Sequence, residues 1–340
     1  MVSHFPNELE NLEPGMAKDA GIPQEDAGCT FDPTSCRIGS VQFLNAVPLT
    51  WKLSEIAAAL NIQADVTYDT PSRLADGLAH GEYDAALIPL AEALRHPELT
   101  QVSDVCIASE GKVASVEFAA FRPLKELKRI GLDPASRTSN AMLRICLEER
   151  FKTFCEYEPF DLGEALGLSD GGTENIDLSQ GSACRDLAEK CKEKGLDGIL
   201  LIGDKALTLP HHSDHFACIY DLGHLWTQWI GLPFVYASWF TSSKDTEFQA
   251  RLSTLFNEAR RASQIEMDVL TIHEAMRRRM NIPFCHDYLL RKIRYRLSGR
   301  ERRGAEVFCK MMQKCGLAPL GTDILFEANR NRFAAGSGTE

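Results

Sequence analysis

The chain reads as an α/β protein built in two lobes, and three observations lead there. Strand-like and helical segments alternate in two separate series, the first opening at residue 36 and the second at 128. Strand-like segments at 106–121 and 232–240 connect the series, and residues 245–316 are almost purely helical in period. The length of 340 residues, 44% hydrophobic and 25% charged, suits two lobes of roughly 100 to 150 residues.

Residues 1–35 mix acids, Gly and Pro without a hydrophobic period, so a flexible extension is expected there. RIGSVQFLN (37–45) has the pattern of a strand running into a loop, and VPLTWKLSEIAAAL (47–60) that of a helix with Pro48 in its first turn. QADVTYDT (63–70) reads as a second strand. PSRLADGLAHGEY (71–83) is amphipathic, with Pro71 at its start and Gly81 past its end; DAALIPL (84–90) is the unbroken apolar run of a strand buried on both faces. In the second series KRIGLD (128–133) reads as strand and SRTSNAMLRICLEERF (136–151) as helix. A polar stretch runs to 180, then RDLAEKCKEKG (185–195) as a helix closed by Gly195 and DGILLIG (197–203) as a buried strand. This alternation predicts mostly parallel sheets with helices on both faces. In the last quarter, FQARLSTLFNEARRASQIEM repeats apolar residues at three- and four-residue spacing, and Gly316 marks a helix end. Residues 321–340 read as a tail.

The formal net charge of −11 leaves no basic field for nucleic acid or an anionic membrane, so neither is an expected partner. The opening MVSHFPNELENLEPG has no signal-like basic and apolar segments, and no apolar run approaches a membrane span; a cytoplasmic location is expected. Eleven cysteines without a C-x-x-C, most in apolar periodic stretches such as that around Cys146, read as reduced core thiols. The cluster His211, His212, Asp214 and His215 is metal-like in composition but lies in a polar loop without helical spacing, so no metal site is expected. Arg73, one turn into an amphipathic helix, reads as a surface residue, and RKIRYRLSGRERR (291–303) as the solvated face of helices.

The segments RIGSVQFLNAVPL, TPSRLADGLAHGEYDAALIP, SVEFAAF, LDPASRTSNAMLRI, LLIGDKAL and YDLGHLWTQWIGLPFVYASW occur in this order. Together they resemble the chorismate dehydratase family of the futalosine route to menaquinone, over residues 36–318. The resemblance implies a type II periplasmic-binding-protein-like fold, whose chain crosses twice between two lobes that hold a ligand in their cleft. It implies a first lobe of 36–120 plus 235–320, an inserted lobe of 121–234, and crossings near 121–124 and 232–236. It also implies an activity: a carbon–oxygen lyase removes water from chorismate to give 3-[(1-carboxyvinyl)oxy]benzoate, with no metal or redox cofactor. A sibling enzyme making 1,4-dihydroxy-6-naphthoate, and a non-catalytic small-anion binding protein of the same fold, are the alternatives; QFLNAVPL and RTSN resemble the dehydratase better. Chorismate is then the small-molecule partner, and a homodimer stays open.

Such a reaction needs a base near the ring proton, a donor to the departing hydroxyl, and donors for two carboxylates. The resemblance implies catalytic roles for Asn45, which ends the first strand, and for Ser115 in ASVEF. Ser136, Arg137, Thr138 and Ser139 open a helix after a strand, where hydroxyls, free N–H groups and the positive helix end converge on an anion. Thr138 and Ser139 stand ahead of Arg137 there. Gly203 permits close backbone approach of ligand, and Asp204 either caps the next helix or touches ligand.

Overall fold

The structure, a computed structural model, describes residues 35–167, 176–179, 181–210 and 214–321. The chain lays down β1 (Ser35–Ser40), β2 (Gln63–Tyr68), β3 (Ala85–Pro89) and β4 (Thr100–Ser109) in one sheet. It then builds a second sheet from β5 (Val116–Ala120), β6 (Arg129–Leu132), β7 (Glu156–Pro159), β8 (Gly198–Ile202) and β9 (Cys218–Asp221). Finally it returns to the first with β10 (Phe234–Thr241) and β11 (Ile293–Arg296). The orders are β11-β4-β10-β3-β1-β2 and β7-β6-β8-β5-β9.

Helices α1 (Val47–Thr50), α2 (Leu53–Ala59), α3 (Pro71–Ala79) and α4 (Leu90–Ala93) belong to the first pass; α5 (Arg137–Ile145), α6 (Leu162–Ala165), α7 (Gly181–Glu193), α8 (Asp204–Leu207) and α9 (Leu222–Ile230) to the inserted one. Helices α10 (Thr246–Ile265), α11 (Met267–Arg277), α12 (Ile282–Asp287) and α13 (Gly299–Lys314) complete the chain.

The sheets are mixed rather than mostly parallel. β2, β1 and β3 run parallel, as do β7, β6 and β8, but β10 is antiparallel to β3 and β4, and β5 is antiparallel to β8 and β9. The reason is directional. A strand reached by a helical crossover enters its sheet from the far end, whereas β5 and β10 arrive from the other lobe at the cleft end and run against their neighbours.

The first crossing also comes earlier than 121–124. β5 pairs with β8 and β9 in the second sheet, so the chain changes lobes within 110–115, and the return lies at 231–233. Asp221, at the end of β9, ties the crossing down. Its carboxylate accepts the amides of Val113 at 2.9 Å and Ala114 at 2.8 Å, and of His224 at 2.9 Å at the start of α9. Ala114 is held at φ 63, a left-handed value unusual for a residue with a side chain.

The main core joins the first sheet to α10 and α13. Asp245 caps the Glu247 and Phe248 amides, and Phe248, Leu252, Leu255, Phe256 and Ala259 of α10 turn inward. Phe256 stacks on Trp239 of β10 with ring centres 4.1 Å apart. α13 begins with a capping box between Ser298 and Glu301 and packs so tightly on the return crossing that a Cβ at Gly304 would collide with the Pro233 carbonyl oxygen. Phe308 of α13, Phe234 and Trp226 meet edge to face beneath it.

The 47–60 helix divides into α1 and α2, the 136–151 helix continues past Ile145 as a π-helical turn, and the polar stretch contains β7 and α6. The basic run holds β11 as well as helix; Arg294 and Arg300 pair with Glu110, and Arg302 with Asp104. Arg73 is exposed and pairs with Asp69 at 3.1 Å. The described cysteines are free thiols, most of them buried. Among the described residues no helix is long and apolar enough to cross a membrane, and no cluster of His, Cys, Asp and Glu could hold a metal; His211 and His212 lie outside them.

Candidate active site

The carboxyl ends of β1, β6 and β8, the start of β5 and strand β10 converge on the cleft, where open α/β sheets place their ligands. Asn45, Ser115, Ser136, Thr138, Ser139 and Gly203 all line one cavity of about 80 Å³ between the lobes, together with Tyr236 and apolar walls that include Phe43, Leu87 and Ile107. A second cavity of about 310 Å³ shares Val41, Phe43, Pro71 and Ile202 with it and adds Asp69, Asp204, Lys205, Arg277 and Arg278. The inner cavity is neutral and the outer one charged.

Each inner residue is fixed by its local fold. After β1 the chain makes a 3-10 turn, Leu44–Ala46, which Pro48 extends into α1; Asn45 sits in that turn, its Oδ1 buried without a partner. Ser115 follows the strained Ala114 and is buried, and its carbonyl accepts the Gly203 amide at 2.9 Å, locking β5 to the end of β8. Gly203 has φ 68 and ψ −150, a conformation that favours glycine, and a Cβ there would lie 2.7 Å from the Phe43 ring.

The first turn of α5 supplies the hydroxyls. Ser136 caps the helix by accepting the Ser139 amide at 3.4 Å, and Thr138 Oγ1 accepts the Ala91 amide at 3.0 Å. In both residues an acceptor position is therefore occupied by an amide, which leaves the O–H hydrogen to be donated. The loop before the helix is braced by Asp133, which accepts the Ala135 amide at 2.9 Å and pairs with Lys205 at 2.6 Å.

Two of the eight expected residues stand differently. Arg137 turns to Glu92 of α4 at 3.2 Å and does not line the inner cavity. Asp204 neither caps α8, whose N-cap is Gly203, nor lines the inner cavity; it accepts the Leu44 amide at 2.9 Å and pairs with Arg278 at 2.7 Å. The charge on each is met by the opposite lobe.

Two tyrosines were missed. Tyr236 lines the cavity and its hydroxyl meets Ser109 Oγ at 3.0 Å. Tyr288, at the start of the π-helical turn Tyr288–Lys292, is buried near Ser115 and Asn45, whose polar groups act on its hydroxyl against the larger upward push of burial. Burial pushes both phenols well up, so each stays protonated and neutral at physiological pH. No spacing in the sequence relates residue 288 to residues 45 and 115; only the folded chain joins them.

The match to a family model described as menaquinone biosynthesis spans residues 36–172 and 177–314, most of the chain. The chain belongs to the menaquinone biosynthesis family. Within reach of this menaquinone biosynthesis family protein is a curated relative, the chorismate dehydratase of Thermus thermophilus, 26% identical over 264 residues that cover 73% of this chain and 86% of the relative. Solved structures show the fold to be that of periplasmic binding proteins. A protein of Archaeoglobus fulgidus superposes with a TM-score of 0.61 at 13% identity, covering 84% of this chain and 98% of that one. The periplasmic aliphatic sulphonate binding protein of Escherichia coli gives 0.56 at 13% identity, covering 86% and 96%.

Proposed function

We propose that this protein dehydrates chorismate to 3-[(1-carboxyvinyl)oxy]benzoate, as a carbon–oxygen lyase. The observation that carries the reading is the chemistry of the inner cavity: amide, hydroxyl and phenol donors and a helix N-terminus, with no Asp, Glu, His, Lys, Arg or Cys among the described residues that line it. A doubly anionic ring is held well by donors that add no strong base of their own. The dehydratase from Thermus supports the same substrate.

The substrate dictates the rest. The C3 proton is vinylogous to the ring carboxylate, so its removal spreads charge into that carboxylate, where the hydroxyls of Ser136 and Thr138 and the α5 dipole are suited to receive it. The electron pair left by the C3 proton then forms the C3=C4 double bond as the C4–O bond breaks; the departing hydroxide takes up a proton to leave as water, and the ring becomes aromatic. The two oxygen substituents are trans, so proton and hydroxyl depart from one face, which favours a stepwise loss. Asn45 and Ser115, which both line the inner cavity, are suited to donate to the departing hydroxyl. With no basic side chain among the described residues of the inner wall, the substrate's own enolpyruvyl carboxylate is suited to accept the C3 proton, and the protein supplies conformation and charge stabilisation.

The test is to mix the purified chain with chorismate alone and follow the diene absorbance and the benzoate ether. Loss of the first with appearance of the second is expected; binding without conversion would leave a binding protein, and neither would end the reading. An analogue lacking the side-chain carboxylate should bind and stay intact.

A further inference from the structure

Resting on that reading, we propose that Arg278 is a positioning residue of the dehydration: with Asp204 it clamps the two lobes together and thereby fixes the turn that carries Asn45. Asp204 is the first residue beyond Gly203 on the inserted lobe, and its two carboxylate oxygens are both taken from across the cleft. Oδ1 accepts the Leu44 amide at 2.9 Å and Oδ2 accepts Arg278 Nε at 2.7 Å. The same guanidinium donates to the Gln42 carbonyl at 2.6 Å, and Glu274, one turn back in α11, holds it from behind. The ion pair thus holds both ends of the 42–44 loop, Gln42 through the guanidinium and Leu44 through the carboxylate of the inserted lobe, directly before Asn45.

Shape and burial make the arrangement specific. The Arg278 side chain is 7% exposed and that of Asp204 17%, so solvent screens the pair little. Beside it the Phe43 ring rests on Gly203, a contact that excludes any Cβ there. When the lobes part, the Leu44 bond, the Arg278 pair and the Phe43 contact are lost together. A set of contacts that exists only in the closed cleft adds its whole strength to closure, and a residue that acts in the closed cleft works only in that fraction of molecules. At α5 a second set does the same, since Thr138 accepts from Ala91 and Arg137 pairs with Glu92.

The experiment compares the full chain with Arg278→Ala, Arg278→Lys and Asp204→Asn by chorismate kinetics and by solution scattering. Arg278→Ala is expected to lose about tenfold to a hundredfold in kcat/KM, to show a larger radius of gyration than the parent, and to recover part of its activity in millimolar guanidinium but not in sodium chloride. Arg278→Lys, which keeps the charge but cannot span Asp204 and Gln42 together, falls between. A folded Arg278→Ala protein with parental kinetics and scattering, or one that guanidinium fails to restore, would overturn the proposal. If that variant does not fold, Asp204→Asn decides by kinetics and scattering, because it leaves the Arg278–Glu274 pair in place. If the parent itself does not turn over chorismate, the functional reading fails while scattering still decides the clamp.

Discussion

Thr138 and Ser136 show how a neutral residue becomes suited to an anion: a backbone amide occupies each oxygen, and the hydroxyl proton is what remains to give. Tyr288 carries the same logic a step back from the cavity, because its hydroxyl lies near Ser115 and Asn45 while burial keeps it protonated. Tyr288→Phe retains the ring and removes that hydroxyl. We expect kcat to fall about tenfold, the worth of one hydrogen bond of about 1.5 kcal/mol, with KM changed less and the melting temperature nearly parental; an unchanged kcat in steady-state assays would show that the hydroxyl plays no part. The polar residues at strand ends were legible in the sequence because topology fixes where strand ends go. Tyr288, Tyr236 and Arg278 were not, since each lies on the returning part of the chain, and an aromatic or basic residue in such a stretch looks like ordinary core or surface.

At the level of elements, long apolar periods were readable and short or exposed ones were not. β3 and β8 are buried at every position and announce themselves as unbroken apolar runs. β7, written EYEP, is an exposed edge with no apolar pattern, and β11, written IRYR, buries Ile293 and Tyr295 in a period of two too short to stand out from its basic flanks. β5 was visible as a strand but not as a member of its sheet, because a run buried on both faces fits either one. What assigns it is the 110–115 crossing, and there Asp221 serves three amides at once. Asp221→Ala removes a helix cap of about 1 kcal/mol and strands two amides, so a loss of about 2–4 kcal/mol is expected as a lower urea midpoint at unchanged slope. A loss below half a kilocalorie would mean that the crossing holds without it.

For the whole molecule, two lobes and an inserted order were legible, and the mixed sheets were not, because sequence alternation does not record from which end a strand enters. One buried group ties overall stability to pH. Glu117 of β5 is fully buried, neither carboxylate oxygen has a hydrogen-bond partner, and burial first, then the nearby charge of Asp221, pushes its pKa up to about 9 from 4.5. In the unfolded chain the group ionises near 4.5, so the folded state binds an extra proton above that pH; stability declines from about pH 4.5 to about 9 and levels beyond. Glu117→Gln cannot ionise, and its melting temperature should fall less than the parent's across that window; parallel curves would show that the carboxyl has another source of relief. The position of β10 between β3 and β4 has a further consequence, for the order of events during synthesis. When residue 109 leaves the ribosome, both neighbours exist but the strand that must lie between them is still more than a hundred codons away. The second sheet draws on the contiguous stretch 116–221, so its loops close earlier and at lower entropic cost. The inserted lobe therefore sets first, and the lobe that begins the polypeptide is the last to be finished.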